Sequence, residues 1–289
     1  MSLLKAILLG LIQGLTEFLP VSSSGHLSIF QNFFGMEEVS ISFDIFLHVG
    51  TLIAVFAVYY KDIIRLIADG IGIIVDSISN VITYIKCKKN QEVAQYRKVI
   101  NGPYRKFALL VIVSTIPTGI IGLIGKKLIE GASNTLIVPG ICLLVTAVLL
   151  FISDNIEDGK KTPKKTTYVN ATFIGVCQGI ATLPGLSRSG TTITAGLLCG
   201  LKREFAVKYS FIMSIPAILG AAATDIPDMA KDMRSGDAAA FNIGALVAAI
   251  VGYVCIKTML VVVKKKKFKY FSYYCLALGV IAIIGHFVV

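Results

Sequence analysis

Long apolar runs separated by short polar or basic segments dominate the chain. Six of them, roughly 43–60, 107–124, 136–152, 205–223, 241–263 and 270–289, are long enough to cross about 30 Å of hydrocarbon as helices. The stretch 66–85 differs. Ile67, Ile71, Ile74, Ile78, Val81 and Ile85 form a helical stripe, and Asp69, Asp76, Ser79, Asn80 and Thr83 fill the opposite face. That pattern predicts an amphipathic helix lying on a membrane rather than a seventh span. Two further apolar stretches are interrupted near their middle, 3–34 at Pro20-Val-Ser-Ser-Ser-Gly25 and 169–201 at Pro184-Gly-Leu-Ser-Arg-Ser-Gly190. Neither half of either stretch can cross alone. A helix, a break and a second short helix predict a re-entrant hairpin, tolerated only where the break lines a polar cavity. The expected fold class is an all-α membrane protein of six transmembrane helices and two re-entrant helical hairpins.

A shift of 165 residues aligns the two interrupted stretches without a gap. Gly10, Gln13 and Gly14 fall on Gly175, Gln178 and Gly179, and Ser22, Ser24 and Gly25 fall on Ser187, Ser189 and Gly190. Identity at Gly, Gln and Ser inside apolar sequence is hard to obtain from composition alone. Each half then reads hairpin, span, span, span, and three spans force the second half to enter from the opposite side. The expected organisation is a first repeat over 1–152 (hairpin 3–34, amphipathic helix 66–85), a linker over 153–168 and a second repeat over 169–289 (hairpin 169–201). Inverted repeats of this kind bring their broken segments face to face near the bilayer midplane, where such folds bind ligand.

Composition supports a bilayer solvent. The 289 residues are 55% hydrophobic and 16% charged, with a mean hydropathy of +0.77. A soluble domain carries about 25% charged residues. The net charge of +11 could suggest nucleic acid, but the basic residues cluster in loops between apolar runs, so topology explains them better and no nucleic-acid partner is expected. With both termini outside, 20 of the 28 basic residues fall on the inside, mostly in 86–106, 160–165 and 264–269, as the positive-inside rule requires. The segments 36–42, 126–135 and 225–240 are then outside. No removable signal peptide is expected, because Lys5 and Glu17 interrupt the first apolar run. The six cysteines read as small apolar residues rather than bridges or metal ligands.

The chemistry sits in the two breaks. Gln13 and Glu17 are four apart and share a helix face. A carboxylate at bilayer depth costs about 2.5–3.5 kcal/mol on insertion scales, which makes Glu17 a functional candidate. Ser22, Ser23, Ser24 and Gly25 precede a short helix and offer hydroxyls and backbone N–H groups to an anion, or simply cap that helix. His26 follows them. Arg188 is the single arginine within an apolar element, and its planar fork suits phosphate oxygens; the plainer reading is a partner for Glu17. Ser187, Ser189, Gly190 and Thr192 surround it. Asp44 and His48, one turn apart at the start of a span, are candidates for the surroundings of the site. Carboxylate, imidazole, hydroxyls, guanidinium and helix N-termini make a set for phosphoryl transfer, and in a membrane cavity the substrate would be a lipid phosphate.

At these residues the sequence closely resembles the undecaprenyl-diphosphatase family, also called the bacitracin-resistance proteins. The family's Glu/Gln-x-x-x-Glu motif is matched by Gln13 and Glu17, and its Ser-Ser-Ser-Gly-His stretch by Ser22 to His26. Its Pro-Gly-x-Ser-Arg-Ser-Gly-x-Thr signature is matched by Pro184 to Thr192. The resemblance covers essentially the whole chain. It implies a multi-pass protein of the bacterial plasma membrane that hydrolyses undecaprenyl diphosphate to undecaprenyl phosphate and phosphate. That reaction recycles the carrier lipid for peptidoglycan synthesis and confers bacitracin resistance. It also implies dependence on a divalent cation, Mg²⁺ or Ca²⁺. Because the first motif position is Gln13 and not Glu, the cation is expected to bind mostly through the substrate diphosphate, with Gln13, Glu17, Asp44 and His48 nearby. In this reading Arg188 clamps the diphosphate, and Ser22, Ser24, Gly25, Ser187, Ser189, Gly190 and Thr192 hold its oxygens. Glu17, His26, Ser23 and Arg188 are the catalytic candidates, with attack by Ser23, by His26 or by water left open. A lipid flippase or anion transporter on the same inverted repeat is the alternative. A homodimer stays open, and the site is expected to open to the outer face.

Overall fold

In the computed structural model, residues 2–34, 40–90, 93–133, 135–232 and 237–288 are described. They form ten α-helices: α1 (Leu3–Phe18), α2 (Ser23–Phe33), α3 (Ile41–Asn90), α4 (Pro103–Ser133), α5 (Ile137–Asn155), α6 (Tyr168–Ile180), α7 (Arg188–Leu198), α8 (Arg203–Asp232), α9 (Ala238–Lys264) and α10 (Phe268–His286). Six of them, α3, α4, α5, α8, α9 and α10, are long and apolar enough to cross a membrane. The chain is an all-α, multi-pass membrane protein.

The distribution of side chains is that of a protein dissolved in lipid. On α4, Ile112, Ile116, Ile120 and Leu123 are exposed, and on α9 Leu246, Ile250 and Val254 are. The interior instead collects small and polar residues, among them Gln13, Ser114, Thr118, Thr146, Gln178 and Ser187. Between helices in lipid there is little hydrophobic driving force, so close backbone approach and interhelical hydrogen bonds replace it. α1 lies along α9, α6 along α4, and α5 along α10, while α3 packs on α8 and α9. Glycines set these distances. A Cβ on Gly10 would lie 2.4 Å from the Gly244 carbonyl oxygen, and one on Gly175 would lie 2.2 Å from that of Ser114. Thr118 then donates across the second crossing to the Gly175 carbonyl at 2.8 Å.

Both interrupted stretches break where the sequence places the break. α1 and α2 are separated by Leu19–Ser22, and α6 and α7 by Ala181–Ser187. Each second helix is capped by a serine of the motif: Ser22 accepts from the Gly25 N–H at 3.2 Å, and Ser187 from the Gly190 N–H at 3.1 Å.

α3 departs from the expected pattern. The expected span 43–60 and the amphipathic stretch 66–85 are two helical segments of α3 that meet at a kink at Tyr59 (φ −107°, ψ 19°), with no loop between them. The apolar stripe from Ile67 to Ile85 is exposed. Its polar face is taken up by the returning chain: Arg105 donates to Asp76 at 2.6 Å, and Asn80 exchanges two hydrogen bonds of 2.8 Å with the Arg97 backbone. The amphipathic pattern thus reflects contact with residues 97–105 as well as with solvent. α4 and α8 also run further than expected, to Ser133 and Asp232. The remaining parts of the expected outer segments 36–42, 126–135 and 225–240 lie partly outside the described residues.

The linker is held in place. Arg203 donates to the carbonyls of Ser153 (3.0 Å) and Ile156 (2.7 Å) and to Asp158 (2.6 Å). Asp154 caps α10 by accepting from the backbone N–H groups of Phe268 and Lys269, at 3.0 and 2.8 Å.

The glycine crossings generate a paired test. Gly175→Ala should lower the thermal midpoint in detergent, since overpacking costs about 1–3 kcal/mol. Gly122, with nothing within 4 Å of its would-be Cβ, should tolerate alanine or gain up to about 1 kcal/mol from helix propensity. Equal midpoints for the two variants would show that the α4–α6 crossing is not limited by the glycine.

Candidate active site

The two breaks meet. The Gly185 N–H donates to Ser24 Oγ at 3.4 Å, and Ser189 Oγ reaches the Leu19 carbonyl at 3.5 Å. A Cβ on Gly25 would lie 2.8 Å from Gly185 Cα, so only glycines allow this approach. Gly185 also stands at φ 89°, a left-handed conformation that glycine adopts without strain. Thr146 on α5 fastens the second break from behind, donating to the Gly185 carbonyl at 3.1 Å and accepting from the Ser187 N–H at 3.0 Å.

Glu17 is the centre of the site. Its side chain is 5% exposed. One carboxylate oxygen pairs with the Arg188 guanidinium. The other accepts from the Ser23 hydroxyl at 2.6 Å and from the Gln13 amide at 3.0 Å. His48 Nδ1 lies 3.1 Å from that same oxygen and 2.8 Å from Gln13 Nε2. With Nδ1 bare the ring accepts from Gln13 there; with a proton on Nδ1 it donates to Glu17. Hydroxyl, carboxylate and guanidinium therefore stand in a row contributed by α1, α2 and α7.

A cavity of about 240 Å³ opens on this row. Glu17, Ser22, Ser23, Ser24, His48, Ser187 and Arg188 line it, with Ile45, Ala181, Leu186, Ala217, Ile218 and Ala221 as its apolar wall. Thr118, Gln178 and Thr182 line it as well; these three are not among the residues singled out from the sequence. They escaped because a Thr or Gln within an apolar helix carries little signal of its own. Gln178 was visible only as the repeat mate of Gln13.

Other candidates sit behind the cavity wall. His26 uses both ring nitrogens, Nδ1 toward the Ser22 carbonyl and Nε2 toward the Tyr274 hydroxyl, each at 2.7 Å. A carbonyl only accepts, so Nδ1 carries the proton, and in the neutral ring Nε2 accepts from Tyr274. Ser22 stands at φ 68°, a region costly for a residue other than glycine, and the His26 bond to its carbonyl holds it there. Ser189 faces Ser187 and Leu19, and Thr192 bonds Ser210 at 2.6 Å and the Arg188 carbonyl at 2.8 Å. Gly25 and Gly190 supply the N–H groups that the capping serines accept. Asp44 accepts from Gln31 at 3.1 and 3.2 Å and does not line the cavity.

A family model described as bacitracin resistance protein BacA matches residues 6–281. Among curated relatives, an undecaprenyl-diphosphatase of Methanosphaera stadtmanae is 41% identical over 284 residues, covering 98% of each chain. One from Alkaliphilus metalliredigens is 43% identical over 290 residues, again covering 98% of both. One from Desulforapulum autotrophicum is 41% identical over 294 residues and spans both chains entirely.

The ion pair can be separated from any chemistry by stability alone. Arg188→Ala leaves the Glu17 carboxylate buried without its cation, which should cost about 3–5 kcal/mol. Combining Glu17→Gln with Arg188→Met removes both charges and should recover much of that loss in a detergent melt. A double variant no more stable than Arg188→Ala would show that the pair does not hold the two breaks together.

Proposed function

The chain belongs to the bacitracin resistance protein BacA family, and we propose that it is a membrane phosphatase hydrolysing undecaprenyl diphosphate to undecaprenyl phosphate and inorganic phosphate. This recycles the carrier lipid for cell-wall synthesis and gives bacitracin resistance. The observation that carries the reading is the Ser23 hydroxyl donating to Glu17 at 2.6 Å in a cavity that Arg188 also lines. A nucleophile and an acceptor for its proton within hydrogen-bond reach are the signature of covalent catalysis.

Arg188 binds the terminal phosphoryl oxygens by its fork, and the hydroxyls of Ser22, Ser24 and Ser187 complete the cradle. Ser23 Oγ attacks the terminal phosphorus and its proton passes to Glu17. The bond from that phosphorus to the bridging oxygen breaks, and undecaprenyl phosphate departs. Water then cleaves the phosphoserine, releasing phosphate and restoring the hydroxyl. His26 acts through Ser22 as a positioning residue, since both its nitrogens are engaged away from the cavity. Hydrolysis is favoured over a flippase or anion carrier by the same Ser23–Glu17 pair, because a carrier needs only binding groups.

A divalent cation fits this site in one way. Among the described residues no group of three or more His, Cys, Asp or Glu could hold a metal, and both oxygens of Glu17 already have partners. Glu17, with the free buried carbonyl of Gln13 beside it, would hold a cation chiefly shared with the diphosphate. Such an ion neutralises phosphate charge when bound.

The two breaks belong to hairpins entering from opposite sides, and the cavity opens outward. Ile45 and His48 lie in the first two turns of α3, and Ala217 to Ala221 near the middle of α8. The start of α3 is the end of that helix away from the basic loop 86–106.

Purified protein should release phosphate from undecaprenyl diphosphate, Arg188→Ala should abolish release, and Arg188→Lys should restore little of it. Near-normal release by the alanine variant would remove Arg188 from the site. Glu17→Gln should lower the rate steeply, by about 10²-fold or more, and change the cation titration; an unchanged rate and titration would remove Glu17. For direction, Ala221→Cys in a cysteine-free background should react with an impermeant thiol reagent on intact cells. Labelling confined to inverted vesicles would reverse the orientation.

A further inference from the structure

A second concavity, remote in sequence from the hydrolytic cavity, lies on the face that carries the basic loops. It has a volume of about 470 Å³ and is lined by Lys98, Ile100, Asn101, Gly102, Lys106 and Lys164. Three lysines line it and no carboxylate does. Elsewhere on this face Arg97 and Arg105 pair with Asp76, Arg203 with Asp158, and Lys208 with Asp62. Among the described residues no carboxylate pairs with Lys98, Lys106 or Lys164. Lys106 is held in place by the Tyr168 ring, with Nζ 3.3 Å from the ring centroid. The chain forming the wall is fixed on both sides, at 97–105 by the bonds to α3 and at Lys164 by the short 3₁₀ turn Pro163–Lys165.

Three like charges around one hollow repel one another, and a phosphate-bearing anion relieves that repulsion while sharing several N–H donors. The rim is amphiphilic. Ile100 lines the hollow itself, and Tyr168, Val169 and Phe173 are exposed on the adjoining face of α6. A free phosphate would have no use for that apolar rim, whereas an acyl chain beside a headgroup would lie along it.

We infer that this hollow, formed by the 98–106 segment and the linker lysine, binds the phosphate headgroup of an anionic membrane lipid. It is a site separate from the hydrolytic cavity and does not depend on the catalytic reading.

The test uses full-length protein in neutral detergent, titrated with phosphatidylglycerol and with phosphatidylcholine and read by native mass spectrometry. The wild type should retain phosphatidylglycerol in preference to phosphatidylcholine. The variant Lys98→Gln, Lys106→Gln, Lys164→Gln should bind phosphatidylglycerol about tenfold more weakly. A control in which Lys86, Lys88 and Lys89 are changed to Gln, on the same face but outside the hollow, should bind like the wild type. Phosphatidylglycerol binding unchanged in the first variant, or weakened equally in the control, would overturn the proposal in favour of diffuse surface charge. Displacement of the lipid by millimolar inorganic phosphate would assign the hollow to free phosphate and overturn the lipid assignment. Phosphate release in neutral detergent by the first variant should match the wild type, which shows that the protein remains folded.

Discussion

One ion pair holds the centre of this molecule. Glu17 belongs to α1 and Arg188 to α7, at the two breaks that the sequence separates by 171 residues. Neither charge is tolerable alone at this depth, because an ion out of water costs several kcal/mol even after relaxation. Pairing brings the two breaks together and fixes which atoms meet. The other carboxylate oxygen accepts from Ser23 and Gln13, so both oxygens of Glu17 are partnered. The groups that make the ion pair affordable are also the groups that make a reactive site.

A break between two helices leaves N–H and carbonyl groups without partners in either helix. Here side chains take that role. Ser22 and Ser187 cap the second helices, Thr146 holds both a carbonyl and an N–H of the second break, and Ser24 holds another N–H. The serines are therefore structural and chemical at once. Ser22 and Ser187 also line the cavity, at the N-termini of α2 and α7, where an anion would sit. Glycine completes the arrangement. Gly25 and Gly185 let the two breaks touch, and Gly10 and Gly175 let the first helix of each pair lie against its neighbour.

The six spans, the two breaks and most of the polar row were legible in the sequence, because each leaves a coarse mark: length of apolar run, Pro and Gly at a break, a charge where none should be. What was illegible depends on which way a side chain turns. His26 looked catalytic from its place after the serines, yet it turns to Ser22 and Tyr274, a residue 248 positions away. Thr118, Thr182 and Gln178 line the cavity, but a Thr in an apolar helix ordinarily bonds its own helix backbone, as Thr118 also does at 2.9 Å to Ser114. The close junction between the two segments of α3 was hidden for a different reason. Asp62, just after the kink, accepts from Tyr104 of α4 (2.7 Å) and Lys208 of α8 (2.9 Å), so contacts distant in sequence hold the junction.

Charge balance explains why the first motif position can be Gln13. Glu17 and Arg188 cancel, so the empty cavity is nearly neutral and Gln13 adds only a donor toward Glu17. A second carboxylate at that position would leave a net negative charge in a low-dielectric cavity, tolerable only with a resident cation. With the amide, the negative charge arrives with the diphosphate, and so does the need for a counterion. The guanidinium is already partly committed to Glu17, and hydroxyls supply dipoles rather than charge. A cation travelling with the diphosphate, as we propose, would resolve the imbalance at the moment it appears, without a site that must hold metal when no lipid is bound.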